Sequence, residues 1–204
     1  MKAAGKTEPK KVRALSRDEL RRVADAIDDR YRAMVMVAGV CGLRWGDLLG
    51  LTTDDFDSDS RRLRVDRQIV ETKGSFEVGH PKTKKSRRVV VLPSTVTAAL
   101  ERHIDAHCPD GGFLFLTSKG THPHRSNFST HFWQPALRDA KVPHARFHDL
   151  RHTAASLLID AGANPLVVQH RLGHQNISTT LGTYGHLMEH ADESAADALD
   201  DVFA

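Results

Sequence analysis

Cysteine is scarce in this 204-residue sequence, tyrosine occurs only twice, and no apolar run nears the ~20 residues that span a bilayer. Cys41 and Cys108 are too few for a disulfide framework and lack zinc-ligand spacing, so a reducing cytoplasm is the expected setting, with no membrane partner. The N-terminus, MKAAGKTEPKKVRALSRDEL, is basic but has no apolar stretch of the kind a secretory signal carries. A phosphate-cradling glycine loop and a carboxylate metal cluster are both missing. Basic residues are absent from the last twenty positions, which hold six acids: Glu189, Asp192, Glu193, Asp197, Asp200 and Asp201. All 29 Lys and Arg therefore fall in residues 1–184, against 20 acids, giving +9 there within an overall +3. A basic body of this kind suits a polyanion, because each cation set near a phosphate releases condensed counterions.

What remains is the composition of a globular protein, 40% apolar and 27% charged, long enough for one domain with a real core. Residues 1–14 read as a flexible basic arm, residues 15–188 as the folded domain and residues 189–204 as an acidic tail. Ser16 followed by Glu19 has the form of a capping box and opens a helix to about residue 29. Residues 31–40 are apolar enough for a buried helix ending near Gly42. A short helix over 43–51 and an acidic turn over 52–59 follow. Residues 61–70 read as a strand with Leu63 and Val65 facing one way, and 76–78 and 87–92 as two more. The basic stretch Lys82-Thr83-Lys84-Lys85-Ser86-Arg87-Arg88 lies between the last two as a hairpin tip. The rest reads as helical: from Pro93-Ser94 to about 107, from Ser126 to about 140, 148–161 up to Gly162, from Asn164-Pro165 to Gly173, and from Ser178 through Tyr184. The fold class is α+β, mainly helical, with a small three-stranded antiparallel sheet.

The densest chemical signal is His148-Asp149-Leu150-Arg151-His152. On a helix, residues three and four apart share a face, so both histidines and the arginine point the same way. A guanidinium offers a planar fork to two phosphate oxygens, and an imidazole moves a proton near neutral pH. A plain polar helix face is the other reading of these five residues. The i, i+4 histidines also have the spacing of a zinc helix, but Asp149 stands where that motif has its glutamate and Arg151 sets a cation beside the metal. The pair His122 and His124 reads as a feature of its loop.

Other elements follow in a fixed order. Gly42-Leu43-Arg44-Trp45-Gly46-Asp47 puts an arginine at a helix start with an acid three residues on. Pro81-Lys82-Thr83-Lys84 opens the basic hairpin, Leu172-Gly173-His174 follows the His-x-x-Arg helix, and Tyr184 comes ten residues later. This succession resembles the tyrosine recombinases, or phage integrases, over residues 15–188, and implies an integrase-type catalytic domain. The resemblance implies site-specific recombination of double-stranded DNA by cleavage and religation through a 3′-phosphotyrosyl link, with no metal and no other cofactor. Arg44 and Arg151 match the clamping arginines, and His174 the residue that supports the scissile phosphate. Lys82 matches the lysine that protonates the leaving 5′ oxygen, His148 the acid/base site and Tyr184 the nucleophile. Asp47 matches an acid that orients Arg44, and an i, i+3 ion pair on a surface helix is the other reading of the two. Lys84 and Lys85 compete with Lys82 for its role; together with Arg87 and Arg88 they are otherwise contacts to backbone phosphates or a solvated tip.

The family carries a helical DNA-binding domain ahead of the catalytic one, whereas about fourteen residues precede the first helix here, so weak and steeply salt-dependent DNA affinity is expected. The resemblance also implies assembly as a tetramer on DNA, association with the nucleoid when bound, and an acidic tail that docks on a neighbouring protomer. A frayed terminus is the other reading of that tail. Three rivals share parts of the pattern: a type IB topoisomerase-like enzyme, a DNA-binding relic that no longer cuts, and a metal hydrolase.

Overall fold

The computed structural model describes residues 13–72, 74–79, 87–108 and 110–185. Most of the expected basic arm and the whole acidic tail lie outside the described residues. The end of the arm that is described is fixed: Arg13 pairs with Glu19 at 2.7 Å and donates to the carbonyls of Pro143 and His144.

The chain begins as its capping signals dictate. Ser16 and Glu19 form the reciprocal box that starts α1 (Arg17–Ala26), and Asp28 accepts from the Arg30 amide to start α2 (Asp29–Cys41). Gly42, at φ 68°, closes α2 in the left-handed conformation, and its carbonyl is used by the site described below. The short helix α3 (Trp45–Leu49) follows at once.

The sheet region departs from the sequence expectation. Residues 61–70 are not one strand but two, β2 (Arg62–Val65) and β3 (Gln68–Thr72). The break falls at Asp66 and Arg67, where Arg67 turns inward to bind the buried Asp55 carboxylate at 2.6 Å and the Thr52 hydroxyl at 3.0 Å. The acidic stretch expected as a turn supplies a further short strand, β1 (Phe56–Asp57). The three-stranded antiparallel sheet is therefore β1-β2-β5, with β5 at Arg88–Val91, while β3 pairs with β4 (Ser75–Gly79) in a separate two-stranded ribbon.

Helices make up the rest. α4 (Ser94–His107) packs against α2. α5 (Arg125–Phe128), a π-helical stretch (Ser129–Trp133) and α6 (Gln134–Asp139) run on end to end. The core gathers around α2 and α7 (Asp149–Asp160), which pack face to face, and includes Val35, Val37, Leu48, Leu100, Phe128, Trp133 and Leu150. Tyr31 sits in it edge-on to Phe128 and Phe132, and Trp133 donates to the Ala145 carbonyl at 2.8 Å. α8 (Pro165–Leu172) and α9 (Ile177–Tyr184) stand apart on a smaller cluster of Ala155, Val168, Leu172 and Tyr184. Among the described residues no helix is long and apolar enough to cross a membrane.

Candidate active site

Four turns and helix ends converge on one cluster of side chains. Arg44 is the residue before α3, and its amide is capped by Asp47 Oδ2 at 3.3 Å. Asp47 is only 4% exposed and also receives Nη2 of Arg88 at 3.3 Å. Arg151 reaches from the first turn of α7, 4% exposed, and donates from Nη1 to the Gly42 carbonyl at 2.6 Å. Its Nη2 is buried without a hydrogen-bond partner among the described residues. That is an uncommon state for a charged donor and marks a place where an acceptor is missing. Burial, together with the charges of Arg44 and Arg88, pulls the Arg151 guanidinium down to about 9. Three arginines and one carboxylate thus form a cationic pocket with a free donor.

The second wall carries the titratable groups. His148 is the residue before α7, and burial with the neighbouring charges of His152 and Arg151 pushes its imidazole to about 4. His174 follows the left-handed Gly173 that ends α8, and its Nδ1 lies 2.9 Å from the Thr180 hydroxyl. Burial, then Arg151 and Arg44, bring it to about 4 as well. Both rings are neutral at pH 7. Tyr184, at the end of α9, is 3% exposed, and its hydroxyl is 2.7 Å from Nδ1 of His152. Burial raises the phenol above its ordinary range, and the Arg151 charge opposes that.

Of the residues singled out from sequence, Arg44, Asp47, His148, Arg151, His174 and Tyr184 come together here. Lys82, Lys84 and Lys85 lie outside the described residues, and Arg87 is exposed. Arg88 requires a correction, because it is not at a hairpin tip facing backbone phosphates. It is the first residue of β5, 5% exposed, with Nε donating to the Arg171 carbonyl at 2.8 Å and Nη2 to Asp47. The period of the strand accounts for this: Arg88 and Val90 face inward while Val89 and Val91 face outward. Its guanidinium also packs on Gly173, where an added Cβ would lie 2.9 Å from Nη1. Arg88 thereby ties the Arg44 turn to the His174 turn. The run Arg88-Val89-Val90-Val91-Leu92 carries no polar–apolar alternation, so its sequence alone does not show which way Arg88 faces. His152 was on the face noted for His148 and Arg151, but nothing in the sequence singled it out as the partner of the tyrosine. The loop histidines lie elsewhere: His124 meets Glu71 at 2.8 Å, with its ring against Phe76.

The sequence profile of the phage integrase family matches residues 13–190. The chain belongs to that family. Among curated proteins, this phage integrase is 31% identical to a tyrosine recombinase XerC-like protein of Caldanaerobacter subterraneus, over 94% of the chain and 55% of the relative. It is 30% identical to the ICEBs1 integrase of Bacillus subtilis, over 84% of the chain and 49% of the relative. The chain spans about half the length of the curated relatives it matches. Among solved structures, the integrase of transposon Tn1549 in complex with circular intermediate DNA superposes with a TM-score of 0.80 at 25% identity, covering 94% of this chain and 68% of that one. The catalytic domain of bacteriophage HP1 integrase has the same fold, with a TM-score of 0.63 at 21% identity over 92% of this chain and 95% of that one.

Proposed function

We propose that this integrase binds double-stranded DNA and recombines it at specific sites, cutting and rejoining strands through a 3′-phosphotyrosyl link at Tyr184. The observation that carries the reading is a buried arginine donor without a partner among the described residues, Arg151 Nη2, on a guanidinium close enough to feel the buried Tyr184 phenol. Attack of a phenol on a phosphodiester builds negative charge on the non-bridging oxygens, and cations fixed before the reaction lower that barrier most. In this reading Arg44 and Arg151 hold the scissile phosphate and His174 supports it through its free ring nitrogen. Asp47 keeps Arg44 and Arg88 in register, and His148 serves proton transfer on the same wall. Lys82 protonates the leaving 5′ oxygen, and Lys84, Lys85 and Arg87 contact flanking backbone. The covalent link conserves the energy of the broken bond for religation, so no nucleotide is consumed. Relatives in transposons, prophages and integrative elements favour a mobile-element role, with the chain as the catalytic domain, assembled on DNA as a tetramer.

The test is covalent trapping on a randomised pool of nicked duplexes, with Tyr184→Phe alongside. A denaturant-resistant protein–DNA adduct that vanishes in the variant and is indifferent to chelator is expected. An adduct that survives Tyr184→Phe overturns the nucleophile, and relaxation of supercoiled plasmid without any selected site favours a topoisomerase instead.

A further inference from the structure

The tyrosine hydroxyl is held by a different histidine from the one the family resemblance assigns to proton transfer. His152 Nδ1 meets Tyr184 Oη at 2.7 Å, with ring centroids 5.8 Å apart, while His148 stands one turn earlier on α7, its ring 5.7 Å from that of His152. We propose that His152 is a catalytic residue whose Nδ1 takes the phenolic proton of Tyr184 as the phenol oxygen attacks phosphorus, and returns it on religation. The inference rests on Tyr184 being the DNA-cleaving nucleophile.

The step balances. The Oη–P bond forms while the phenol O–H proton passes to Nδ1, leaving an imidazolium with its second proton on Nε2. The P–O5′ bond breaks with its electron pair on the 5′ oxygen, which takes a proton from the acid on the leaving-group side, the role given above to Lys82. One proton moves within the protein, from Tyr184 to His152, and one leaves it for the 5′ oxygen. Religation runs the same transfers backwards.

Three features carry this assignment. The distance is that of a formed hydrogen bond, within the reach a general base needs before the substrate arrives. The protonation states are suited to the transfer: burial, with the Arg151 charge adding to it and Asp149 opposing it, holds the imidazole below 6.5, and burial holds the phenol above 10.0. The proton therefore rests on oxygen, and with the ring proton on Nε2 the Nδ1 lone pair accepts it. Lastly, His152 follows Arg151 directly, so a phosphate bound to that guanidinium offsets the nearest cation and raises the proton affinity of His152 at the moment of attack. The phenol contact belongs to His152, so in this proposal the proton-transfer role given above to His148 passes to His152, and His148, before the first turn of α7 and beside Arg151, is left to contact the phosphate oxygens.

Two measurements test the proposal. First, a nicked duplex selected by wild-type adduct formation is made with either an ordinary or a sulfur-bridged 5′ leaving group. His152→Gln keeps a hydrogen-bonding side chain but cannot take a proton, and is expected to form adduct at least about 100-fold more slowly. The sulfur leaving group, which needs no acid, restores Lys82→Ala but not His152→Gln. A His152→Gln rate within about threefold of wild type, or its restoration by sulfur, overturns the assignment. Second, Tyr184 is the only tyrosine left in a Tyr31→Phe background, so its ionisation is read directly by ultraviolet absorbance without DNA. In that background His152→Gln, whose amide donates to the phenolate, lowers the midpoint by at least about half a unit. An unchanged midpoint shows that the contact does not form and overturns the proposal. No adduct with wild type on any duplex sinks the cleavage reading itself; with the wild-type adduct in hand, the His152→Gln results judge His152 alone.

Discussion

The two sides of the site are built differently. Arg44, Asp47, Arg88 and Arg151 are borne by the turn after α2, by β5 and by α7, all seated on the main core. Tyr184 and His174 sit at the ends of α9 and α8, whose buried support is four residues: Ala155, Val168, Leu172 and Tyr184 itself. Leu166, Val167 and Leu181 on these two helices are exposed, and Arg171 ties α8 to β5 through the Val91 carbonyl. The contrast assigns a division of labour. In the proposed reading, the anion-binding wall is set by the main core, where preorganisation has most value, and the proposed nucleophile is carried on the smaller cluster.

Breaking the rigid wall gives the largest effects. Replacing Arg88 by Met leaves the Asp47 carboxylate buried without its ion pair and is expected to cost about 3–5 kcal/mol in urea unfolding. Arg87→Ala, exposed on the neighbouring residue, should stay within about 0.5 kcal/mol. Equal effects would return Arg88 to the hairpin surface. Arg151→Lys keeps the charge but loses the fork that spans Gly42 and the free donor position. It should slow adduct formation by about 100- to 1,000-fold with little change in DNA affinity. A matching loss of affinity would mean that Arg151 serves binding alone.

The seam between the walls is the Gly173 turn. At φ 67°, and with Arg88 Nη1 2.9 Å from an added Cβ, Gly173→Ala should cost about 1–2 kcal/mol from backbone conformation alone and disturb His174 as well. Thermal melting together with the rate of adduct formation would separate the two consequences. Acid sensitivity probes both walls at once. His148 and His174 titrate near 4 when folded and near 6.5 when unfolded, so the unfolded chain binds protons first as pH falls. Their contribution to stability is present above pH 6.5 and is lost between about 6.5 and 4. The melting temperature should drop across that window, and less so in the double variant His148→Asn, His174→Asn. A flat profile for wild type would show that neither ring is held neutral.

Much of this was legible in the sequence because it rests on local rules. Ser16 with Glu19, Gly42, Asn164-Pro165 and Gly173 set helix ends through capping and backbone conformation; Gly42 and Gly173 lead directly into Arg44 and His174, and the Gly42 carbonyl accepts from Arg151. What was not legible depends on pairing across the chain. The strand expected over 61–70 breaks because Arg67 finds Asp55, twelve residues earlier, and Arg88 turns inward because Asp47 awaits it 41 residues away. His152 was visible as one of three side chains on a helix face. Which of the two histidines meets Tyr184, 32 residues on, is fixed only by how α9 packs against α7.

The central claim is that Tyr184 becomes covalently joined to a DNA 3′ phosphate. The direct measurement is mass spectrometry of the trapped adduct after nuclease trimming and proteolysis. The account predicts a nucleotide carried through a 3′-phosphate on the peptide that contains Tyr184, and none on the peptide that contains Tyr31. A 5′-linked nucleotide, or one attached to any other residue, would contradict it.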